Sequence, residues 1–139
     1  MASTLKINTL TGVTTAGSIA VTGEGNSTTT NLQQGLIKCW VSFGGASATV
    51  ADSFNLTSVD DDGTGDFGIN IANDMANTTY AVLGAVTEKH STAIHTVETT
   101  NDQQTTGAFD CETAYANSGN NRTNEDLNDV YVAVAGDLA

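Results

Sequence analysis

The sequence predicts an all-β fold: a small antiparallel β-sandwich of about seven or eight strands with an extended N-terminal arm. Three observations carry that expectation. Of 139 residues, 23 are Thr and 13 are Asn, whereas Lys and Arg together number four. Thr favours strands, Asn favours turns, and straight-chain helix formers are scarce. Short runs alternate apolar and polar residues with a period of two, the mark of strands with one buried face. Clusters of Gly, Asn and Asp separate those runs and supply the turns.

Residues 1–34 are dominated by Thr, Gly, Ser and Asn, with isolated apolar positions such as Leu5, Ile7, Leu10, Val13, Ile19 and Val21. This is too apolar for a plain linker and too sparse for a core. The segment reads as an extended arm that orders against a partner or a neighbouring copy, with Ile7 and Leu10 as candidate contacts; a flexible tail is the alternative. The β-domain follows at residues 35–139, long enough to bury one core.

Within that domain, "LIKCWVSF" places Ile37, Cys39, Val41 and Phe43 on one strand face and Lys38, Trp40 and Ser42 on the other. "DSFNLTSV" reads as the next strand, with Phe54 and Leu56 pointing together. Phe67, Ile69 and Ile71 alternate with Gly68 and Asn70, and "TTYAVLGAVTE" continues through Tyr80, Val82 and Val86. "TAIHTVETT", "GAFDCETAY" and "DVYVAVAGD" supply three more candidates.

The stretch "SVDDDGTGDFGINIAN" has four aspartates within seven positions. An EF-hand loop starting at Asp60 needs an oxygen ligand at its fifth position, where Thr64 stands, and a bidentate Glu at its twelfth, where Ile71 stands. The strand patterns on both sides also contradict the helices such a loop requires. The stretch therefore reads as a hairpin, with Gly63 and Gly65 supplying positive φ and the acids solvating the tip. A weak calcium site of another kind, helped by the acidic "NEDLND", is the alternative.

His90 and His95 lie five apart in "KHSTAIHT". On one strand they face opposite sides and cannot chelate a single ion, although several copies around an axis can present a ring of one of them. Cys39 and Cys111 both fall on apolar faces and read as buried free thiols, with a disulfide between them as the alternative.

Sixteen Asp and Glu against four Lys and Arg give a formal charge of −12, which repels phosphate backbones and anionic lipid heads. Neither nucleic acid nor membrane insertion is expected. No window approaches the roughly 18 to 20 apolar residues of a membrane helix, and "MASTLKINTL" lacks the order of a secretory signal, so the expectation is a soluble chain made in the cytoplasm. No nucleophile elbow, phosphate loop, H-E-x-x-H or CxxC pair is present, so neither an enzyme nor a cofactor is expected.

Trp40 is the most informative single residue. It projects from the face opposite Cys39 and Phe43, where a solvated strand carries polar groups, so a second sheet or a neighbouring subunit should cover it. The longest polar loop, "ANSGNNRTNEDLN", holds the chain's one arginine, Arg122, beside Asn117, Asn120 and Asn121.

"GLIKCWVSFGG", "DSFNLTSVDDDGTGDFGINIANDMANTTYAVLGAV" and the closing "NDVYVAVAGDLA" resemble the short C-terminal β-domain of tail fibre proteins from tailed bacteriophages, especially those of marine bacteria. The opening "STLKINTLTG" resembles the way many such chains begin. The likeness spans about two-thirds of the chain. It departs at Cys39, where the family commonly has alanine or another small residue, and at Ala76, where a proline follows the methionine. A typical fibre also has an attachment domain or shaft before this module, so here the arm does the attaching or the protein is another virion appendage.

The resemblance implies a homotrimeric structural protein of the virion, made in the host cytoplasm. Trp40, Ile7 and Leu10 would lie between subunits, and the arm would meet other virion proteins. The loop bearing Asn117, Asn120, Asn121 and Arg122 would face a host surface receptor, sugar or protein. A capsid decoration protein that stabilises the phage head is the runner-up, and a calcium-dependent sugar-binding module is a third reading.

Overall fold

A computed structural model describes residues 4–13, 19–23, 28–87, 89–100, 103–116, 119 and 121–139. Among them are eleven strands and no helix: β1 (Ala20–Thr22), β2 (Thr29–Asn31), β3 (Ile37–Gly44), β4 (Thr49–Phe54), β5 (Leu56–Gly63), β6 (Asp66–Ile71), β7 (Ala81–Val86), β8 (Ile94–Thr99), β9 (Ala108–Ala116), β10 (Arg122–Asn124) and β11 (Val130–Ala135). The chain forms two compact units, Met1–Leu36 and Ile37–Ala139.

In the first unit β1 and β2 pair antiparallel, from Ala20 opposite Asn31 to Thr22 opposite Thr29. Backbone bonds from Gly23 N to Thr28 O and from Leu32 N to Ile19 O extend the ladder at both ends. Residues 4–13 contain no strand, and Leu5, Ile7, Leu10 and Val13 are exposed there.

The second unit consists of two antiparallel sheets around one core, a sandwich-like arrangement. One has the order β4-β3-β11-β7. In the other, β9 pairs with β8, with β6 through Ala108–Glu112 and with β10 through Ala114–Ala116, while β5 flanks β6. Alternation explains the core directly: Val130, Val132 and Val134 of β11 face inward with Cys39, Val41 and Phe43, against Phe67, Ile69 and Phe109. Phe43 meets Phe67 edge-on across the two sheets, with ring centroids 5.0 Å apart. Each such side chain contributes roughly 1.5–3 kcal/mol by leaving water.

Three sequence expectations need correction, of which the first adds a strand; β1, β2 and β10 are the other strands beyond those expected. First, "DSFNLTSV" is two strands. The chain bends at Asn55, where φ is 56°, so β4 joins one sheet and β5 the other. Phe54 is consequently exposed, whereas Leu56 packs on the core; the two do not point together. Asn tolerates this left-handed conformation better than other non-glycine residues, and its side chain holds the corner. Nδ2 donates to Lys38 O at 2.9 Å, and Oδ1 accepts from Asn73 N at 2.9 Å.

Second, β3 loses its alternation at its start. Val134 lies opposite Cys39, yet Ala135 lies opposite Ile37, so a bulge at Lys38 reverses the phase. Ile37 is exposed and Lys38 buried, the reverse of the expected assignment; the pattern holds from Cys39 to Phe43.

Third, the aspartate stretch is a β5–β6 hairpin, as expected, but Asp60, Asp61 and Asp62 lie within β5 and not at its tip. Gly65 makes the turn at φ 66°, and a Cβ there would stand 2.4 Å from Thr113 O and 2.7 Å from Glu125 N. Only glycine satisfies both constraints.

Candidate functional site

Trp40 stands on the outer face of β4-β3-β11-β7, and the strand register shows what surrounds it. Phe54 lies opposite Trp40 on one side and Ala133 on the other, with Leu83 opposite Ala133. Residues paired across neighbouring strands share a face, so Phe54, Trp40, Ala133 and Leu83 form one row across all four strands. The adjacent row reads Asp52, Ser42, Tyr131 and Ala85. Phe54 is 54% exposed, Leu83 55%, Tyr131 42% and Trp40 36%. Between them runs a shallow groove of about 590 Å³ floored by Ala133, Ala85 and Gly84. Of the described residues lining it, only Asp52 is charged.

Of the expected subunit contacts, Trp40 thus sits at the centre of an apolar face, and Ile7 and Leu10 are exposed in the other unit. Phe54, Leu83 and Tyr131 were not singled out from the sequence. Leu83 and Tyr131 carried a signal of the same kind as Trp40, a large apolar side chain out of phase with its strand's buried set. What the sequence withheld was the register that places them in neighbouring rows.

The outer face of the other sheet is the opposite in character. Asp60 and Asp110 flank Gly68 in register, and Asp66, Glu112 and Glu98 follow one another in the next row. A Cβ on Gly68 would lie 3.2 Å from Asp62 Oδ2 and 3.7 Å from Asp110 Oδ1, so carboxylates rim the bare backbone there. Desolvation, then Asp62 and Asp66, raise the Asp110 carboxyl above its ordinary range; desolvation, then Glu112 and Asp62, do the same to Asp66.

Arg122 belongs to this face. It is in strand β10 and not in an open loop, and its Nη2 stands 2.6 Å from Glu112 Oε2 with Nε 3.4 Å from Glu98 Oε1. Its guanidinium neutralises two neighbouring acids while its side chain stays 39% exposed. Asn121 is exposed beside it, and Asn117 and Asn120 lie outside the described residues.

The histidines also depart from expectation. Strand β8 begins only at Ile94, so the preceding turn folds His90 over His95; the rings stack with centroids 5.9 Å apart and planes 9° apart. His95 Nε2 accepts from the backbone N of His90 at 3.2 Å, while His90 Nε2 stands 2.7 Å from Glu125 Oε2. Lys89 Nζ bonds the same carboxylate at 2.9 Å. That lysine bond first, and the His90 bond with it, hold Glu125 below the usual carboxylate range against a smaller opposing effect of burial.

Among the described residues no three His, Cys, Asp or Glu side chains converge to hold a metal ion. Within "NEDLND", Glu125 is occupied by Lys89 and His90, and Asp126 Oδ1 accepts from Gly65 N at 2.6 Å. Cys39 and Cys111 are free, buried thiols, and burial pushes them up to about 11 and about 12, where neither is a thiolate at neutral pH.

Comparison with protein-family models, curated proteins and solved structures gives no match.

Proposed function

We propose that this chain is a structural virion protein, a tail fibre or tail-associated adhesin whose β-domain assembles as a homotrimer and displays a polar surface to a receptor on the host. The observation that carries the reading is the division of the domain into two outer faces, one apolar and almost uncharged, the other lined with carboxylates. A subunit that must be buried on one side and hydrated on the other has this construction. The resemblance of the segments around Trp40, the β5–β6 hairpin and β11 to phage fibre domains supplies the biological setting. In this reading Ile7 and Leu10 lie between subunits, the arm meets other virion proteins, and Asn121 belongs to the hydrogen-bonding surface offered to a sugar or protein receptor.

A capsid decoration protein is the second reading, favoured by the same apolar face, because a protein that closes seams in a shell also needs an uncovered greasy side. Antibody raised against the β-domain separates the two on intact particles. Label at the tail, with purified protein blocking adsorption to host cells, is the expected result. Label spread over the head with adsorption unchanged would replace the first reading by the second.

A further inference from the structure

We propose that the outer face of β4-β3-β11-β7 is a seam between copies of this chain, with Trp40 seated in the groove of the same face on another copy. The inference deepens the display reading and rests on its premise that the chain works as a multimer.

Two features make a second copy the fitting occupant. The first is electrostatic. Each copy has a formal charge of −12, so copies approach only through a face that adds little repulsion, and Asp52 is the one charged side chain among the described residues of this groove. A basic partner would find its complement on the opposite, carboxylate-lined face instead.

The second is shape. The face carries both halves of a fit: Trp40, Leu83 and Tyr131 stand out, while Ala133, Ala85 and Gly84 form the floor between them. A bulky side chain from an identical face finds a floor of small residues, as protruding aromatics do at the centre of stable interfaces. Phe54, Trp40, Leu83 and Tyr131, each at least a third exposed, make a contiguous apolar patch of the kind that marks interaction sites. Ile37, exposed and opposite Ala135 on the outward phase of β11, is placed to extend it.

The chain has one tryptophan, so its fluorescence reports on this face alone. The full-length protein is measured by sedimentation and by acrylamide quenching over a dilution series, alongside Leu83→Asp and Tyr131→Asp, with Asp60→Asn as a control on the opposite face. Circular dichroism shows which variants are folded. The expected result is a multimer in which Trp40 is shielded and becomes quenchable on dilution, with both face variants folded and associating at least about tenfold more weakly. Asp60→Asn should associate as the parent does. A multimer that survives both substitutions with Trp40 quenchable throughout overturns the seam and leaves the multimeric reading standing. A monomer at every concentration overturns both, and a monomer with Trp40 shielded shows that the face is covered within one chain.

Discussion

The two outer faces of the β-domain are built from the same backbone geometry and carry opposite chemistry. On β4-β3-β11-β7, the outward row holds Phe54, Trp40, Ala133 and Leu83. On the other sheet, the corresponding rows hold Asp60 and Asp110 about Gly68, then Asp66, Glu112 and Glu98. A protein that met water on all sides would spread its charge over both. On the acidic face desolvation first, and the neighbouring carboxylates after it, lift the Asp66 and Asp110 carboxyls, while the other face is left nearly uncharged; the proposed roles of display and contact follow that division.

The contrast can be broken most forcefully at the hairpin that supports the acidic face. Gly65→Val puts a side chain where Thr113 O and Glu125 N already stand and forces a β-branched residue into positive φ. Urea denaturation should show a loss of more than about 3 kcal/mol, the scale of backbone strain combined with overpacking. Gly84→Val tests the other sheet, because a Cβ there would lie 2.1 Å from Val97 Cγ1; the expected loss is about 1–3 kcal/mol, seen as a lower midpoint with the same slope.

Arg122 sharpens the comparison at smaller scale. Arg122→Ala leaves Glu98 and Glu112 side by side without their cation, and should cost on the order of 0.5–1 kcal/mol at low salt, with the difference shrinking as ionic strength rises. Asp110→Asn should do the reverse and stabilise within about 0.5 kcal/mol at neutral pH, the range of ordinary surface changes. Its pH dependence has a definite sign. A carboxyl raised in the folded state contributes stability that is present below the unfolded value, near 3.9, and lost as pH rises through the folded value; the advantage of Asn should therefore vanish on acidification. Glu125 runs the opposite way. Held low by Lys89 and His90, it contributes stability above the unfolded value, near 4.3, that is lost as pH falls through its lowered value, so Glu125→Gln should approach the parent in thermal stability only in acid.

Much of the fold was legible because the central strands obey a single local rule. Phe67, Ile69 and Ile71 alternate without interruption, as do Val130, Val132 and Val134, and each set is buried. The rule failed where a strand changes sheet without Gly or Pro to mark it, as at Asn55, and where one extra residue reverses the phase, as at Lys38. The candidate site was legible one residue at a time. Trp40 announced an outward aromatic, but its neighbours Phe54 and Leu83 come from 14 and 43 positions further along the chain, the first placed by the β3–β4 register and the second by register across β11. Arg122 is a case of the same kind: in sequence it reads as part of a polar loop, and only strand pairing brings Glu112 and Glu98 to it.

Hydroxyl-radical footprinting of the full-length protein at high and low concentration tests the division between the faces most directly. Trp40, Leu83 and Tyr131 should be protected at high concentration and become reactive on dilution, while Asn121 keeps the same reactivity throughout. Equal reactivity of Trp40, Leu83 and Tyr131 at both concentrations, with sedimentation showing the protein still assembled, would contradict the account.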